Sequence, residues 1–454
     1  MGKPPRWPAV ALGAFALGIG AAALARPRLG SGASHPRATP HTAPADHTLA
    51  AASPAVLGGT PQRRFYTGSD AAQAVTIEDL RAMAQRRLPD FALDYLEGGA
   101  EDEATLSRNL AAFADWHFTH RSLIDVSSRD ASTVLFDRKM AMPLIVAPTG
   151  LNGLYWPNAD LRLAEAAATA GVPFAQSTMS NDDMRRIARI NGLRHWWQLY
   201  VFGPEKVRNT LIDRAHDIGC EALIVTTDAQ VYGDREWEKR GQGSIGGLSL
   251  GAALDSLRHP RWFASRMLLH GMPRFENVLE FMPESRRGFF ASADWIRRKM
   301  DVGLTWETVA RIRDRWPRKL IVKGLLSVED VVRAAAIGAD AVVISNHGGR
   351  QLDWAVAPLD LLPAARRAVG DRLTILVGGG VRRGSDVIKA VALGADAVLA
   401  GRAVLYGVAA AGHAGAKRAL DIFRQEIDRD LGLLGVRSIA ELDANFLVHR
   451  PGRG

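Results

Sequence analysis

Eight short apolar runs set the strongest constraint on the fold, because a longer stretch with apolar residues at helical spacing follows each of them. Near-continuous apolar runs are typical of parallel strands buried on both faces. Eight units in which strand and helix alternate favour closure into a ring. The sequence therefore predicts an α/β fold, a TIM (β/α)8 barrel, and leaves an open, doubly wound sheet as the alternative. The runs are PLIVAP, PFAQS, WWQLY, ALIVTT, LIVKG, AVVISN, TILVGG and AVLAG.

Further segments complete the predicted architecture. An N-terminal helical segment begins after Thr76, which is placed to cap the helix with Asp79 three residues later. Two of the later units share one pattern, AIGADAVVIS and ALGADAVLAG, as expected of serial β/α units. An insertion after strand 4, from Gly241 to about Arg298, interrupts the alternation and mixes apolar clusters with arginines.

Three segments of different composition divide the chain. Residues 1–28 hold basic residues, an uncharged apolar run and the small-residue pattern Ala23-Leu24-Ala25. This order predicts a signal peptide or membrane anchor, with an Ala/Gly-rich disordered extension as the alternative. Residues 29–70 are predicted to be a disordered Pro/Ala-rich linker, and residues 71–454 to be the barrel domain.

Charge and cysteine content narrow the classes of partner. Lys and Arg number 57 against 48 Asp and Glu, a formal net charge of +9 that suits phosphate-bearing ligands or an anionic membrane surface. We find no zinc-type Cys/His spacing and no RNA-binding signature, so we expect neither a metal site nor a nucleic-acid partner. The single cysteine, Cys220, excludes an internal disulfide.

Polar residues follow the apolar runs at the points where the predicted strands end. In a parallel barrel these ends meet on one face, where active sites are built. We therefore expect these residues to converge: Pro148, Thr149, Gly150, Ser177, Gln198, Tyr200, Thr226, Asp228, Lys323, Ser345, His347, Gly379, Gly380, Gly401 and Arg402.

The last two strands carry a predicted phosphate site. The stretches GGGVRRG and GRA place glycine N–H groups beside Arg382, Arg383 and Arg402, and barrels commonly bind phosphate between these loops. The glycines do not match the G-x-G-x-x-G fingerprint, which argues against NAD. Tight turns between strand and helix would explain the glycines but not the adjacent arginines.

The stretch SNHGGRQLD predicts the chemistry of the substrate. His347 titrates near neutral pH and can accept a proton, while Arg350 can grip a carboxylate through two hydrogen bonds. Asp228 is placed to orient the ring, as the third group of a hydrolase triad does. Lys323 can stabilise negative charge on a cofactor, although a lysine whose stem merely lines the core is the alternative.

The motifs SNHGGRQLD, QLY, APTG, VKG and RRGSD appear in order, and by them the chain resembles the FMN-dependent 2-hydroxy acid dehydrogenases and oxidases. The similarity covers about Val75 to Val448 and implies a barrel that binds FMN. It implies oxidation of an (S)-2-hydroxy acid, mandelate-like or lactate-like, to the 2-oxo acid. A hydroxy acid oxidase that uses O2, another FMN-barrel enzyme such as an isomerase, and a non-catalytic tethered binding protein remain alternatives.

The resemblance also implies a role for each site residue. His347 is the implied base, oriented by Asp228 and assisted by Tyr200 and Lys323. Tyr95, Arg235, Arg350 and Tyr200 are the implied substrate contacts. The implied FMN contacts are Pro148, Thr149, Gly150, Ser177, Gln198, Thr226, Lys323, Ser345, Gly379, Gly380, Arg382, Gly401 and Arg402.

Several features depart from the family pattern or concern partners. Gly378 stands where the family usually has an aspartate that contacts the flavin ribityl hydroxyls, which predicts weaker FMN retention. The stretch AQVYGDREWEKRGQGS also differs from the family, and Met179 is expected to tune selectivity. Membrane-bound relatives imply membrane association, through the N-terminus and the insertion, and electron transfer to a quinone, with a cytoplasmic protein as the alternative. They also imply a homo-oligomer, a tetramer by analogy.

Overall fold

The computed structural model describes residues 65–242 and 249–450, and twelve β-strands lie within them. They are β1 (Trp116–Phe118), β2 (Thr133–Leu135), β3 (Arg138–Met140), β4 (Leu144–Val146), β5 (Phe174–Ser177), β6 (His195–Leu199), β7 (Ala222–Thr226), β8 (Lys319–Leu325), β9 (Ala341–Ser345), β10 (Thr374–Gly378), β11 (Ala397–Ala400) and β12 (Leu447–His449).

The strands β4 to β11 pair in parallel and close into a barrel in the order β10-β11-β4-β5-β6-β7-β8-β9. This confirms the predicted TIM barrel and excludes the open sheet. Every residue of β6, β7 and β9 is buried, which explains why these strands read as uninterrupted apolar runs. One set of side chains fills the barrel interior and the alternating set packs against the outer helices.

Fifteen α-helical segments lie within the described residues. They are α1 (Ile77–Arg87), α2 (Asp90–Glu97), α3 (Ala104–Ala114), α4 (Ala159–Ala170), α5 (Met184–Ile187), α6 (Glu205–Asp217), α7 (Glu236–Gln242), α8 (Leu250–Arg258), α9 (Pro260–Trp262), α10 (Phe289–Lys299), α11 (Trp306–Arg315), α12 (Val328–Ala336), α13 (Pro358–Val369), α14 (Gly384–Ala392) and α15 (Arg402–Leu434). The last consists of two helices joined by a kink at Ala411 and Gly412.

The N-terminal helix α1 begins with the predicted capping box. Asp79 N donates to Thr76 Oγ1 at 3.1 Å, and Thr76 N donates to Asp79 Oδ2 at 2.9 Å. Tyr66, in the part of the predicted linker that is described, donates its backbone N–H to Asp79 Oδ1 at 2.9 Å. The predicted segment 1–28 and the rest of the linker lie outside the described residues.

The predicted insertion lies between β7 and β8, the fourth and fifth strands of the barrel along the chain. It begins at the end of α7 and carries α8, α9 and α10. The insertion is hydrogen-bonded to segments that follow β4 and β5 at the carboxyl ends of the barrel strands. Trp262 Nε1 donates to Leu154 O at 2.8 Å, and Asn277 Oδ1 accepts from Met184 N at 2.8 Å. Within the two described ranges, no helix combines the length and the apolar character needed to cross a membrane.

Candidate active site

A cavity of about 1100 Å³ lies at the carboxyl ends of the barrel strands. It gathers most of the polar residues that the sequence predicted to converge. Gln198, Thr226 and Asp228 do not line it directly, but each bonds or pairs with a lining residue or its neighbour. The predicted residues that line it are Tyr95, Pro148, Thr149, Gly150, Ser177, Tyr200, Arg235, Lys323, Ser345, His347, Arg350, Gly379, Gly380, Arg382, Gly401 and Arg402.

His347 projects from the loop after β9 with both ring nitrogens engaged. Its Nδ1 lies 2.7 Å from Asp228 Oδ1, and its Nε2 lies 3.2 Å from the hydroxyl of Tyr200. Because a carboxylate only accepts, Nδ1 carries the hydrogen and Nε2 keeps its lone pair. Burial raises the pKa of Tyr200 well above 10, so the phenol donates to Nε2.

Three successive left-handed residues, His347, Gly348 and Gly349, shape this loop, with φ of 59°, 70° and 75°. Glycine adopts this conformation without steric cost, whereas histidine does so rarely. The neighbouring Asn346 exchanges two hydrogen bonds with Asn109 of α3, at 2.7 and 2.9 Å. The amide pair, which sequence reasoning missed, holds the loop that presents His347.

Burial keeps the His347 imidazole neutral, and the groups around Asp228 keep its carboxylate ionised. Burial lowers the pKa of His347 from its usual 6.5 to about 4, while the charge of Asp228 opposes the shift. Burial alone would raise the pKa of Asp228, but its interaction with the His347 ring, including the hydrogen bond from Nδ1, and the charge of Lys323 outweigh burial and lower the pKa. At neutral pH the pair is therefore a free imidazole beside a carboxylate, which is the state needed to accept a proton.

Lys323 reaches the site from the end of β8, where the ladder to β9 shifts register at Gly324. Its Nζ lies 3.7 Å from Asp228 Oδ2. Gly324 has φ of 104°, and a Cβ on it would lie 2.6 Å from the Asp228 carboxyl carbon. The Lys-Gly pair in VKG thus lets the lysine and the aspartate approach closely.

A buried chain of hydrogen bonds runs behind the floor of the cavity. Ser177 Oγ donates to Gln198 Oε1 at 2.8 Å, and Gln198 Nε2 donates to Thr226 Oγ1 at 2.9 Å. These side chains come from the adjacent strands β5, β6 and β7. The predicted cofactor residues Ser177, Gln198 and Thr226 are therefore brought together and fixed in orientation.

Arg382 and Arg402 lie together at the predicted phosphate end. Burial, then repulsion from Arg350 and Arg382, lowers the pKa of Arg402 to about 9. Its guanidinium donates to the carbonyls of Leu96, Gly348 and Gly98 at 2.8 to 3.0 Å. Crowded cations of this kind are stabilised by an anion between them.

Close packing limits the cavity at two glycines. A Cβ on Gly380 would lie 2.1 Å from the carbonyl oxygen of Asn109, so α3 approaches the strand end through this residue. A Cβ on Gly150 would lie 2.6 Å from Met179 Cβ. Any side chain at position 179 therefore crowds a side chain at position 150 and favours glycine there, which is a pairwise constraint that a single sequence does not display.

The donors and charges of the cavity fit FMN. The crowded arginines and the backbone N–H groups near Gly379 and Gly401 suit a phosphate, and Lys323 with the Gln198 network suits the polar edge of a flavin. Gly378 departs from that fit because it offers no acceptor. A Cβ there would lie 3.5 Å from Leu399 Cβ, an ordinary van der Waals contact, so the position accepts a Cβ without a clash.

The predicted substrate residues also lie together, but a residue that was not predicted lies among them. Arg350 Nη1 donates to the carbonyls of Tyr95 and Gly98 at 2.9 and 2.7 Å, and its guanidinium stacks on the Tyr95 ring at 4.8 Å. Arg350 Nη2 donates to Glu238 Oε1 at 2.5 Å, and Arg235 Nη1 lies 3.5 Å from the same oxygen. The only sequence signal for Glu238 is its spacing three residues after Arg235 in the helical stretch REWE.

Comparison with known proteins places the chain in a family. A family model described as FMN-dependent dehydrogenase matches residues 84–449. The chain belongs to this family. It is 42% identical over 372 residues to an (S)-mandelate dehydrogenase of Pseudomonas putida. The aligned region covers 82% of this chain and 93% of that protein. It is 39% identical over 375 residues to an L-lactate dehydrogenase of Caulobacter vibrioides. This aligned region covers 83% of this chain and 98% of that protein.

A solved structure of a similar protein agrees with the fold of this FMN-dependent dehydrogenase. It is described as the crystal structure of the monotopic membrane protein (S)-mandelate dehydrogenase, and it matches with a TM-score of 0.79 and 41% identity over 83% of this chain and 100% of that chain. These findings confirm FMN as the cofactor and the expected class, an FMN-dependent 2-hydroxy acid dehydrogenase.

Proposed function

We propose that this chain oxidises an (S)-2-hydroxy acid with a mandelate-like or lactate-like side chain to the 2-oxo acid. The observation that carries the proposal is that one cavity holds a neutral imidazole, His347, and a buried guanidinium, Arg350. A small acid held by Arg350 would present its hydroxyl-bearing carbon to His347. The relatives named for mandelate and lactate support this substrate class.

The proton-accepting atom in this proposal is His347 Nε2. Oxidation removes two electrons and two protons from the CH–OH group. Nε2 takes one of these protons, and the two electrons with the other proton would pass to the bound FMN. Asp228 stabilises the positive ring that results and fixes its tautomer through the 2.7 Å contact to Nδ1. Tyr200, already hydrogen-bonded to Nε2, orients the hydroxyl of the substrate.

Substrate binding in this proposal uses Arg350 and Tyr95, with Arg235 beside them. The Arg350 guanidinium recognises the carboxylate by charge and geometry, Arg235 adds positive charge nearby, and the α-carbon is then held next to the base. Well-oriented groups of this kind lower the barrier by up to ~7–11 kcal/mol. Met179, which also lines the cavity, would limit the side chain of the acid.

Bound FMN supplies the two-electron acceptor. Arg382, Arg402 and the glycines at 379, 380 and 401 would hold its phosphate, and Ser177, Gln198 and Thr226 would bond the edge of the ring. Lys323 would offset negative charge on the reduced ring. The remaining proposed FMN contacts are Pro148, Thr149, Gly150 and Ser345.

We further propose that the electrons pass to a membrane quinone and that the insertion contacts the bilayer. Leu250, Leu254 and Leu257 lie on one face of α8 and are 76%, 55% and 57% exposed. Arg258 and Arg261 are close to them in sequence, which suits an interfacial segment. By analogy with relatives we expect a homotetramer, which light scattering of the purified protein would test.

The proposed reaction can be tested on the purified full-length protein in detergent. Mandelate, lactate and glycolate are added in turn without oxygen, and the flavin absorbance is followed. We expect the (S)-enantiomer of mandelate or lactate to bleach the flavin, and a quinone analogue to restore its colour faster than O2 does. Bleaching by none of these acids would contradict the proposal, and fast recovery with O2 alone would favour the oxidase alternative.

A further inference from the structure

The substrate arginine Arg350 is engaged by an acidic side chain from its own chain. Glu238, on the short helix α7, places Oε1 2.5 Å from Arg350 Nη2. Each side chain is 14% exposed, and Glu238 lines the same cavity as His347. The carboxylate of Glu238 therefore occupies the position that a substrate carboxylate would need on Arg350.

The surroundings of Arg350 leave little choice in where an acid can bind. Its Nη1 is taken by two backbone carbonyls, and one face of the guanidinium lies on Tyr95. The Nη2 edge, which Glu238 contacts, is the edge that remains for a charged partner. Two carboxylates cannot share the Nη2 edge of Arg350, because two negative charges within hydrogen-bonding distance of one nitrogen repel each other strongly in a buried site.

A second guanidinium offers Glu238 an alternative partner. Arg235 Nη1 lies 3.5 Å from the same Oε1 atom, and Arg235 precedes α7 by one residue. A small movement of the Glu238 side chain would transfer it from Arg350 to Arg235. The exchange keeps every charge paired, whereas removal of one partner from a buried ion pair is strongly destabilising.

We propose that Glu238 is an internal competitor for the substrate carboxylate, held on Arg350 in the free protein and displaced to Arg235 when the acid binds. The inference rests on the proposed function, because it takes Arg350 as the carboxylate site. As a consequence, the apparent affinity for every carboxylate ligand is lower than the intrinsic affinity of Arg350. The apparent dissociation constant is the intrinsic one divided by the fraction of molecules in which Glu238 does not cover Arg350.

Two substitutions separate displacement from simple charge. Glu238→Gln removes the negative charge, and Glu238→Asp keeps the charge but shortens the side chain by one carbon, about 1.5 Å. Displacement predicts that both variants free Arg350. The matched control is Glu236→Gln on the same helix, since Glu236 pairs with Arg240 on the exposed side and does not line the cavity.

The measurement is the dissociation constant of benzoate, a carboxylate with no hydroxyl to oxidise, read from the flavin spectrum of the FMN-loaded protein. We expect it to fall about tenfold in both Glu238 variants and to stay within about twofold of the parent in Glu236→Gln. With the reactive acid, KM should fall likewise while kcat at saturation is kept.

Other outcomes overturn the inference. Tighter benzoate binding in Glu238→Gln but not in Glu238→Asp would mean that only the nearby charge matters. Unchanged or weaker binding in both would mean that Glu238 supports the pocket rather than blocks it. If Glu238→Gln does not fold, Glu238→Asp decides alone. Failure of the proposed function is seen separately, as benzoate binding without bleaching by any 2-hydroxy acid.

Discussion

At the scale of single residues, the site depends on two opposite electrostatic environments within one cavity. Burial keeps His347 neutral and lowers its pKa to about 4, while the surrounding charges keep Asp228 ionised. At the other end, Arg402 is buried and is repelled by the charges of Arg350 and Arg382. The first environment suits proton removal and the second suits binding of anions.

The low pKa of His347 predicts the acid limb of the pH profile. Because the base must be neutral, kcat/KM for the 2-hydroxy acid should hold from about pH 8 down to about pH 5 and fall with an apparent pKa near 4. In the unfolded chain the imidazole is protonated with a pKa near 6.5, whereas in the folded chain its pKa is about 4. The contribution of His347 to the free energy of unfolding is therefore lost as the pH falls from 6.5 toward 4. An acid limb between pH 6 and 7, measured with the FMN-loaded protein, would contradict this assignment.

Gly378 predicts how tightly FMN is held. Gly378→Asp should restore an acceptor for the ribityl hydroxyls, and hydrogen bonds to a charged group contribute about 1.5–3 kcal/mol. The dissociation constant of FMN, measured by fluorescence quenching on the apoprotein, should fall by about tenfold or more. Gly378→Ala fills the same space without an acceptor and should not tighten binding. Equal affinities in the two variants would refute the role given to this position.

At the scale of elements, the strand ends were readable from the sequence because a buried apolar run gives way to polar residues or glycines at or near the end of each strand. Ser177, Gln198 and Lys323 could thus be placed on one face before the structure was known. Glu238 and Asn109 could not, because their positions depend on how α7 and α3 pack over the barrel. The constraint between Gly150 and Met179 was likewise invisible, since it depends on contact between two loops.

The apolar face of α8 predicts how the protein meets a membrane. Replacing Leu254 and Leu257 by Glu should abolish flotation with vesicles that contain anionic phospholipid, because charged side chains cannot enter the interface. Val332→Glu on α12, where the side chain is 42% exposed, is the matched control and should float like the parent. Flotation of the double variant at the level of the parent would show that α8 does not contact lipid.

At the scale of the whole molecule, the barrel converts separate strand ends into one site. The residues at positions 347 and 350 come from the loop after β9, Tyr200 from the end of β6, and Arg402 from the end of β11. These elements lie far apart along the chain, yet they meet in one cavity of about 1100 Å³. The sequence predicted this convergence because strand order in a closed parallel barrel leaves few alternatives.

The role of His347 as the base is tested by the anaerobic flavin spectra of the parent and of His347→Gln, each mixed with the same (S)-2-hydroxy acid. Glutamine cannot take the proton, so we predict that the variant keeps its bound FMN and yellow colour but is not bleached, while the parent is bleached within the mixing experiment. Bleaching of the variant at a rate similar to that of the parent would show that the imidazole is not the base.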